Sequence, residues 1–230
     1  LDELCQGAMA FTELGVKKIR LTGGEPLVRT DVMTLIQKLG ALPGLQELLL
    51  TTNGSQLTTY AEPLKKAGVN RINISIDSLQ ADRFQRISRV GRLDKVLAGI
   101  DVAIAQGFDR IRLNSVVMKG YNEDEVLALT DYALDRHVDI AFIEEMPLGE
   151  ASDHAREDTT CSNAWVRAEI EKKYQLVDSP ARTAGPSRYS QVAGYRSRVG
   201  FISPVHHHFC EDGNRGRIPV EGRLLVCVGS

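Results

Sequence analysis

The feature that most constrains the fold is a regular alternation of strand-like and helix-like runs over the first two thirds of the chain. Five apolar strand-like runs recur at roughly thirty-residue intervals: KKIRLTG, QELLLTTNG, RINISID, RIRLNSVVMKG and DIAFIEEMP. Helical runs stand between them, and one of these places Val32, Leu35, Ile36 and Leu39 on a single face. Serial strand–helix units build parallel sheets, so we predict an α/β fold, and a whole or partial barrel rather than a doubly wound sheet.

Polar chemistry in this part of the chain is concentrated where the predicted strands end. The strand ends are Gly23–Glu25, Thr51–Asn53, Ser75–Asp77, Lys119–Gly120 and Glu144–Met146. In (β/α) barrels the loops at the carboxyl ends of the strands build one active site, so we expect these segments to be functional. The adjacent glycines of LTGGEPLVR also let a ligand approach the backbone and bind to its N–H groups.

The character of the sequence changes after Pro147, where a polar linker, a helical run (AWVRAEIEKKY) and a hairpin-like pair (YSQVAGY and RVGFIS) follow. We therefore divide the chain into residues 1–148, a partial barrel, and residues 149–230, a C-terminal segment that folds over the barrel mouth. Because the alternation opens with a helix, we expect the first strand of the barrel to lie upstream of Leu1. Asn122 is the predicted N-cap of the helix after the fourth strand.

Composition excludes several classes of protein. Apolar residues make up 43% of the chain and charged residues 25%, as in an ordinary soluble globular protein. The net charge is −2, which does not suggest a duplex nucleic acid or an anionic membrane as partner. No apolar run approaches the roughly eighteen residues of a membrane helix, and no signal peptide is visible. The four cysteines are scattered, which favours a reducing cytoplasm over a disulfide framework. Cys5 and Cys161 are predicted to be small buried residues.

The C-terminal stretch HHHFCEDGNRGRIPVEGRLLVC, residues 206–227, contains candidate metal ligands. Cys210 and Cys227 are too far apart to form a C-x-x-C pair, and His206–His208 precede them. Zinc accepts two cysteines and two histidines as ligands, so the residue types present here are compatible with a zinc site.

Six strings occur in this order: LTGGEPLVR, TTNG, RINISIDS, RLNSVVMKG, FIEEMPLG and a C-terminal FC…NR.R…C. Together they resemble, over essentially the whole chain, the GTP 3′,8-cyclase family of molybdenum cofactor biosynthesis, within the radical S-adenosylmethionine (SAM) superfamily. The resemblance implies an incomplete (β/α) TIM-like barrel of the radical SAM type with a C-terminal segment that closes its mouth.

The resemblance also implies a lyase reaction that uses two 4Fe–4S clusters. The first cluster cleaves SAM to a 5′-deoxyadenosyl radical, which takes hydrogen from C3′ of GTP, and the sugar radical attacks C8 of guanine. The product is 3′,8-cyclo-7,8-dihydro-GTP, in the first step of molybdenum cofactor biosynthesis. The second cluster binds GTP.

Site residues follow from the resemblance position by position. Gly24, Ser75 and Met146 match contacts to SAM. The positions that match GTP contacts are Arg20, Thr51, Arg112, Arg215 and Arg217. GTP carries about four negative charges, and a guanidinium donates bidentate hydrogen bonds to phosphates. The family commonly has lysine in place of Arg112, which keeps the charge and changes the donor geometry.

The chain departs from the family at both clusters. No C-x-x-x-C-x-x-C loop for the first cluster is present, so we expect that loop upstream of Leu1, no catalytic residue on this chain, and an inactive fragment. Cys210 and Cys227 match ligands of the second cluster, but Gly213 stands at the middle ligand position and offers no ligand atom. A histidine of His206–His208 could fill that gap by ligand type.

Two alternatives to a cyclase function remain open. The first is a degraded, non-catalytic copy or nucleotide-binding barrel, which Gly213 favours. The second is another radical SAM enzyme with an auxiliary cluster, against which Asn214-Arg215-x-Arg217 favours GTP. The family further implies a homodimer and transfer of the product to the next enzyme, cyclic pyranopterin monophosphate synthase.

Overall fold

The computed structural model describes residues 1–145, 159–179, 188–203, 216–219 and 224–225. The chain divides into two compact units, the first spanning Leu1–Asn114 and the second Ser115–Ser230. The predicted boundary near residue 148 differs from this division and stays a prediction.

The first unit is a parallel sheet with helices in its connections. Its strands are β1 (Lys18–Leu21), β2 (Glu47–Thr52), β3 (Arg71–Ser75) and the start of β4 (Arg110–Val117), paired in parallel in that order. Its helices are α1 (Asp2–Glu13), α2 (Val32–Gly40), α3 (Leu57–Lys66), α4 (Ala81–Ser88) and α5 (Leu93–Ala105), with a 3₁₀ turn at Pro26–Val28. This serial order confirms the predicted α/β class.

Apolar periodicity explains how these elements pack. The predicted apolar face of α2 is buried throughout: Val32, Leu35, Ile36 and Leu39. In β3, Ile72 and Ile74 are fully buried and alternate with Asn73, as the period of a strand requires. Ile74 lies beside Val96 of α5 near Gly54, so the isoleucine face is the helix-covered one.

The second unit is also an α/β arrangement. Its described elements after β4 are a 3₁₀ turn (Glu123–Glu125), α6 (Val126–Asp135), β5 (Asp139–Glu144), α7 (Asn163–Glu171), β6 (Leu176–Asp178), β7 (Arg188–Val192) and β8 (Arg198–Ile202). β5 pairs with β8 in parallel, while β8–β7 and β7–β6 are antiparallel. The predicted hairpin is therefore confirmed as β7–β8.

Several local predictions need correction. Asn122 makes no side-chain cap bond; its amide instead accepts from Met118 N at 2.7 Å and donates to Val116 O at 2.8 Å. It is buried, and its amide bonds to backbone groups at and just after the end of β4. Helix α4 and strand β6 were not predicted. Cys161 is buried as expected, whereas Cys5 is only half-buried.

Gly40, the last residue of α2, offers a test of packing in the first unit. A Cβ added there would overlap the carbonyl oxygen of Ala67 and lie 3.1 Å from the carbonyl carbon. We expect Gly40→Ala to lower the free energy of unfolding by about 1–3 kcal/mol, measured by urea denaturation, because backbone must move. The matched control is Gly7→Ala inside α1, where a Cβ meets nothing within 4 Å; it should instead stabilise by about 0.5–1 kcal/mol. Equal effects would contradict this account.

Among the helices described, none is both long and apolar enough to cross a lipid bilayer.

Candidate functional site

The candidate site of the first unit is a row of polar side chains across four parallel strands. The register places Thr51 beside Asn73 and Asn73 beside Arg112, so the three share one face of the sheet. Arg20 is in register with Leu49, two residues before Thr51 in β2. Since residues i and i+2 share a face, the long side chain of Arg20 reaches along the strand to the same row.

A single buried amide joins the two arginines. We assign the Asn73 amide so that its oxygen faces two donors: it accepts from Arg20 Nη1 and from Arg112 Nη2, the latter at 2.9 Å. Arg20 Nη1 also lies 3.5 Å from Thr51 Oγ1. Asn73 is 4% exposed, Arg112 half-buried and Arg20 exposed. The structure therefore brings together three residues that the resemblance matched to GTP contacts.

The electrostatics of this row favour an anionic ligand. Two guanidinium groups bind one uncharged oxygen, so two positive charges lie near each other although like charges repel. Guanidinium groups bind phosphate oxygens through paired, charge-assisted hydrogen bonds. A phosphate-bearing ligand would place negative charge beside both guanidinium groups, which the Asn73 oxygen already brings together.

The double-glycine loop follows β1 and is tied to the neighbouring strand by Glu25. The Glu25 carboxylate accepts from Thr52 Oγ1 at 2.7 Å, Asn53 N at 2.6 Å and Leu27 N at 3.1 Å. Gly23 has φ of 135°, which a side chain would strain, and a Cβ at Gly24 would meet nothing within 4 Å. The loop is therefore anchored by Glu25 and open at Gly24.

Ser75 is exposed at the carboxyl end of β3. It is two residues beyond Asn73, on the same face of the strand, and is in register with Asn114. Ser75, through its exposed hydroxyl, and Gly24 of the preceding loop, through its open backbone, are therefore both suited to contact a ligand.

Two contributors were missed from the sequence. Asn73 was read only as part of a strand, although the alternation of Arg71, Asn73 and Ser75 with two isoleucines marks a polar face. Glu25 was noted only as part of a polar strand end, and two of its three hydrogen bonds, to Thr52 and Asn53, depend on where β2 lies.

The other predicted site residues fall within the second unit, residues 115–230. Met146, Cys210, Gly213, Arg215, Cys227 and the His206–His208 run lie outside the described residues. Arg217 belongs to the second unit, where it is exposed and forms a two-bond backbone bridge with Leu225. Within the described ranges, no group of three or more histidine, cysteine or acidic side chains is arranged to hold a metal ion.

Two family models match the chain. The Radical SAM superfamily model matches residues 1–133, and the Molybdenum Cofactor Synthesis C model matches residues 138–230. GTP 3′,8-cyclase of Ectopseudomonas mendocina is 56% identical over 229 residues, covering 100% of this chain and 69% of that protein. GTP 3′,8-cyclase 1 of Pseudomonas aeruginosa is 54% identical over 230 residues, covering 100% of this chain and 70% of that protein.

Solved structures share the fold. Streptococcus suis SuiB bound to S-adenosylmethionine superposes with a TM-score of 0.67 and 16% identity, covering 99% of this chain and 52% of that one. Escherichia coli coproporphyrinogen III oxidase (HemN), a radical SAM enzyme, superposes with a TM-score of 0.57 and 13% identity, covering 88% of this chain and 55% of that one. These likenesses confirm the predicted radical SAM type of fold. On the identity to its curated relatives over its whole length, the chain belongs to the GTP 3′,8-cyclase family of the radical SAM superfamily.

Proposed function

We propose that the chain binds GTP through Arg20, Thr51 and Arg112 and serves the conversion of GTP to 3′,8-cyclo-7,8-dihydro-GTP in the first step of molybdenum cofactor biosynthesis. The observation that carries the proposal is the convergence of Arg20 and Arg112 on one buried amide oxygen. Converging guanidiniums match the paired oxygens of a triphosphate. The names of the relatives, which specify GTP, support the identity of the nucleotide.

We assign SAM to the strand ends beside this row, at Gly24 and Ser75, with Met146 matched from the sequence. Radical SAM enzymes use a 4Fe–4S cluster with SAM, and the reduced cluster, when bound, supplies the electron for the cleavage of SAM. The residues of this chain then have a binding role. The open backbone at Gly24 leaves room for close approach, and the exposed Ser75 hydroxyl can donate or accept a hydrogen bond.

We infer that these 230 residues alone do not cleave SAM. Fe–S clusters need several thiolate ligands, and the four cysteines at 5, 161, 210 and 227 contain no C-x-x-x-C-x-x-C spacing. Burial raises the pKa of the Cys161 thiol, so it stays protonated at neutral pH. Cys210, Cys227 and the arginines Arg215 and Arg217 are assigned to the second, GTP-side cluster, which Gly213 leaves one thiolate short.

Two further assignments rest on the family alone: a homodimer, and transfer of the product to cyclic pyranopterin monophosphate synthase. A cytoplasmic location rests on the scattered cysteines. All three stay predictions.

Binding of GTP to the purified chain tests the proposal. We expect the double variant Arg20→Gln/Arg112→Gln to weaken GTP binding by about 100-fold or more, because each of the two lost charged hydrogen bonds is worth roughly 1.5–3 kcal/mol. Isothermal titration calorimetry measures the dissociation constants. Arg92→Gln is the matched control, since Arg92 belongs to the same unit but forms an exposed pair with Asp94.

The same preparation should yield no deoxyadenosine when supplied with SAM and a reductant, and production of deoxyadenosine would overturn the inference of inactivity. If Arg92→Gln weakens GTP binding as much as the double variant, the proposed binding site is wrong. The second candidate function, a non-catalytic nucleotide-binding chain, is favoured by Gly213. It predicts GTP binding without iron uptake after anaerobic reconstitution with iron and sulfide.

A further inference from the structure

Asn73 is an uncharged residue whose amide oxygen accepts from two arginines. Carboxylates also pair with arginines in this chain: Glu47 with Arg71, Asp94 with Arg92 and Asp139 with Arg198. Arg71 is only two residues before Asn73 in β3. At Asn73 the acceptor shared by Arg20 and Arg112 is an uncharged amide oxygen.

The difference between an amide and a carboxylate lies in charge rather than in geometry. An aspartate at this position would have the same shape and would accept both hydrogen bonds more strongly. It would also add a negative charge beside the two guanidinium groups. An amide aligns the same two groups without adding that charge.

Burial makes Asn73 suited to a positioning role. It is 4% exposed and set between Ile72 and Ile74, which are fully buried, so the strand holds its side chain in one place. Its register with Thr51 on one side and Arg112 on the other centres it in the polar row. Arg20 and Arg112 come from β1 and β4, on either side of β2 and β3, and both donate to this amide oxygen.

We propose that Asn73 is the positioning residue of the anion site: its neutral amide holds Arg20 and Arg112 side by side and thereby sets the site's preference for a ligand with several negative charges. This inference rests on the proposed function, and it concerns a residue that does not itself bind the phosphates. The guanidinium groups act on the ligand, and Asn73 acts through them.

The test compares Asn73→Asp with the unaltered chain against GTP, GDP and GMP, with dissociation constants measured by isothermal titration calorimetry. We expect Asn73→Asp to weaken GTP binding by about 10-fold or more, GDP binding less, and GMP binding least. Thermal unfolding should show an unchanged or higher midpoint, because a carboxylate forms ion pairs with both arginines. A fall in affinity without a fall in stability distinguishes positioning from a merely structural role.

The matched control is Asn70→Asp, which adds the same charge just before β3, where Asn70 accepts from Leu48 N at 2.8 Å. It should leave all three dissociation constants unchanged. Asn73→Leu, which keeps size and removes the acceptor, should also weaken GTP more than GMP, and it guards against an effect peculiar to the carboxylate.

The possible failures can be told apart. If the unaltered chain does not bind GTP, or if the Arg20→Gln/Arg112→Gln variant binds it normally, the proposed function fails. If those results hold but Asn73→Asp keeps the original affinities, or weakens GTP and GMP equally, only the role of Asn73 is overturned.

Discussion

Replacing Asp139 with alanine is expected to destabilise the second unit by about 3–5 kcal/mol, the largest effect we predict for one side chain. Asp139 begins β5 and is buried, with a side chain only 6% exposed. Its carboxylate accepts from the backbone N of Arg198 at 2.8 Å and from Nη2 of the same residue at 2.9 Å. The change would leave the Arg198 guanidinium, 14% exposed, without its carboxylate at the start of β8.

The single tryptophan makes this measurable within the second unit. Trp165 lies in α7, so urea denaturation followed by tryptophan fluorescence reports on the unit that contains Asp139. The control is Asp178→Ala in the same unit, which breaks a pair of the same residue types with Arg167; the Asp178 side chain is 79% exposed, and such pairs contribute little. Asp139→Asn should have an intermediate effect, since its amide oxygen still accepts from Arg198 N. Similar losses for Asp139→Ala and Asp178→Ala would refute the buried-pair account.

The sequence predicted the order of strands and helices because that order is determined by the local periodicity of apolar residues. Alternating strands and helices, the apolar face of α2 and the β7–β8 hairpin are set by neighbouring residues. Helix α4 was missed since it is short and polar, with Phe84 as its single buried residue. Asn122 was misassigned because capping and turn patterns share the same residue types.

The candidate site was less accessible to sequence reasoning, since it depends on strand register. The resemblance named Arg20, Thr51 and Arg112 separately, but no local pattern states that Arg112 lies beside Asn73 while Arg20 reaches the same amide. Register between distant strands is set by packing of whole elements. The role of Asn73 could therefore not be predicted, although its polar position between isoleucines was visible.

The same dependence on register applies to Glu25, which connects the double-glycine loop to β2. Its three acceptor bonds reach one residue in its own loop and two at the end of the next strand. One of these partners, Thr52, is 2% exposed, so water cannot readily replace the carboxylate there. The open loop at Gly24 is thus fixed by a group that need not contact any ligand.

We expect Glu25→Ala to destabilise the first unit by about 3 kcal/mol, because hydrogen bonds to a carboxylate are worth more than neutral ones and the hydroxyl of Thr52 would stay buried without its acceptor. Urea denaturation followed by far-UV circular dichroism gives the loss. Hydrogen exchange should accelerate at the amides of Leu27 and Asn53, which donate to Glu25. Glu62→Ala, which removes an exposed i,i+4 partner of Lys66, is the control. Unchanged exchange at both amides would show that the loop keeps its shape without Glu25.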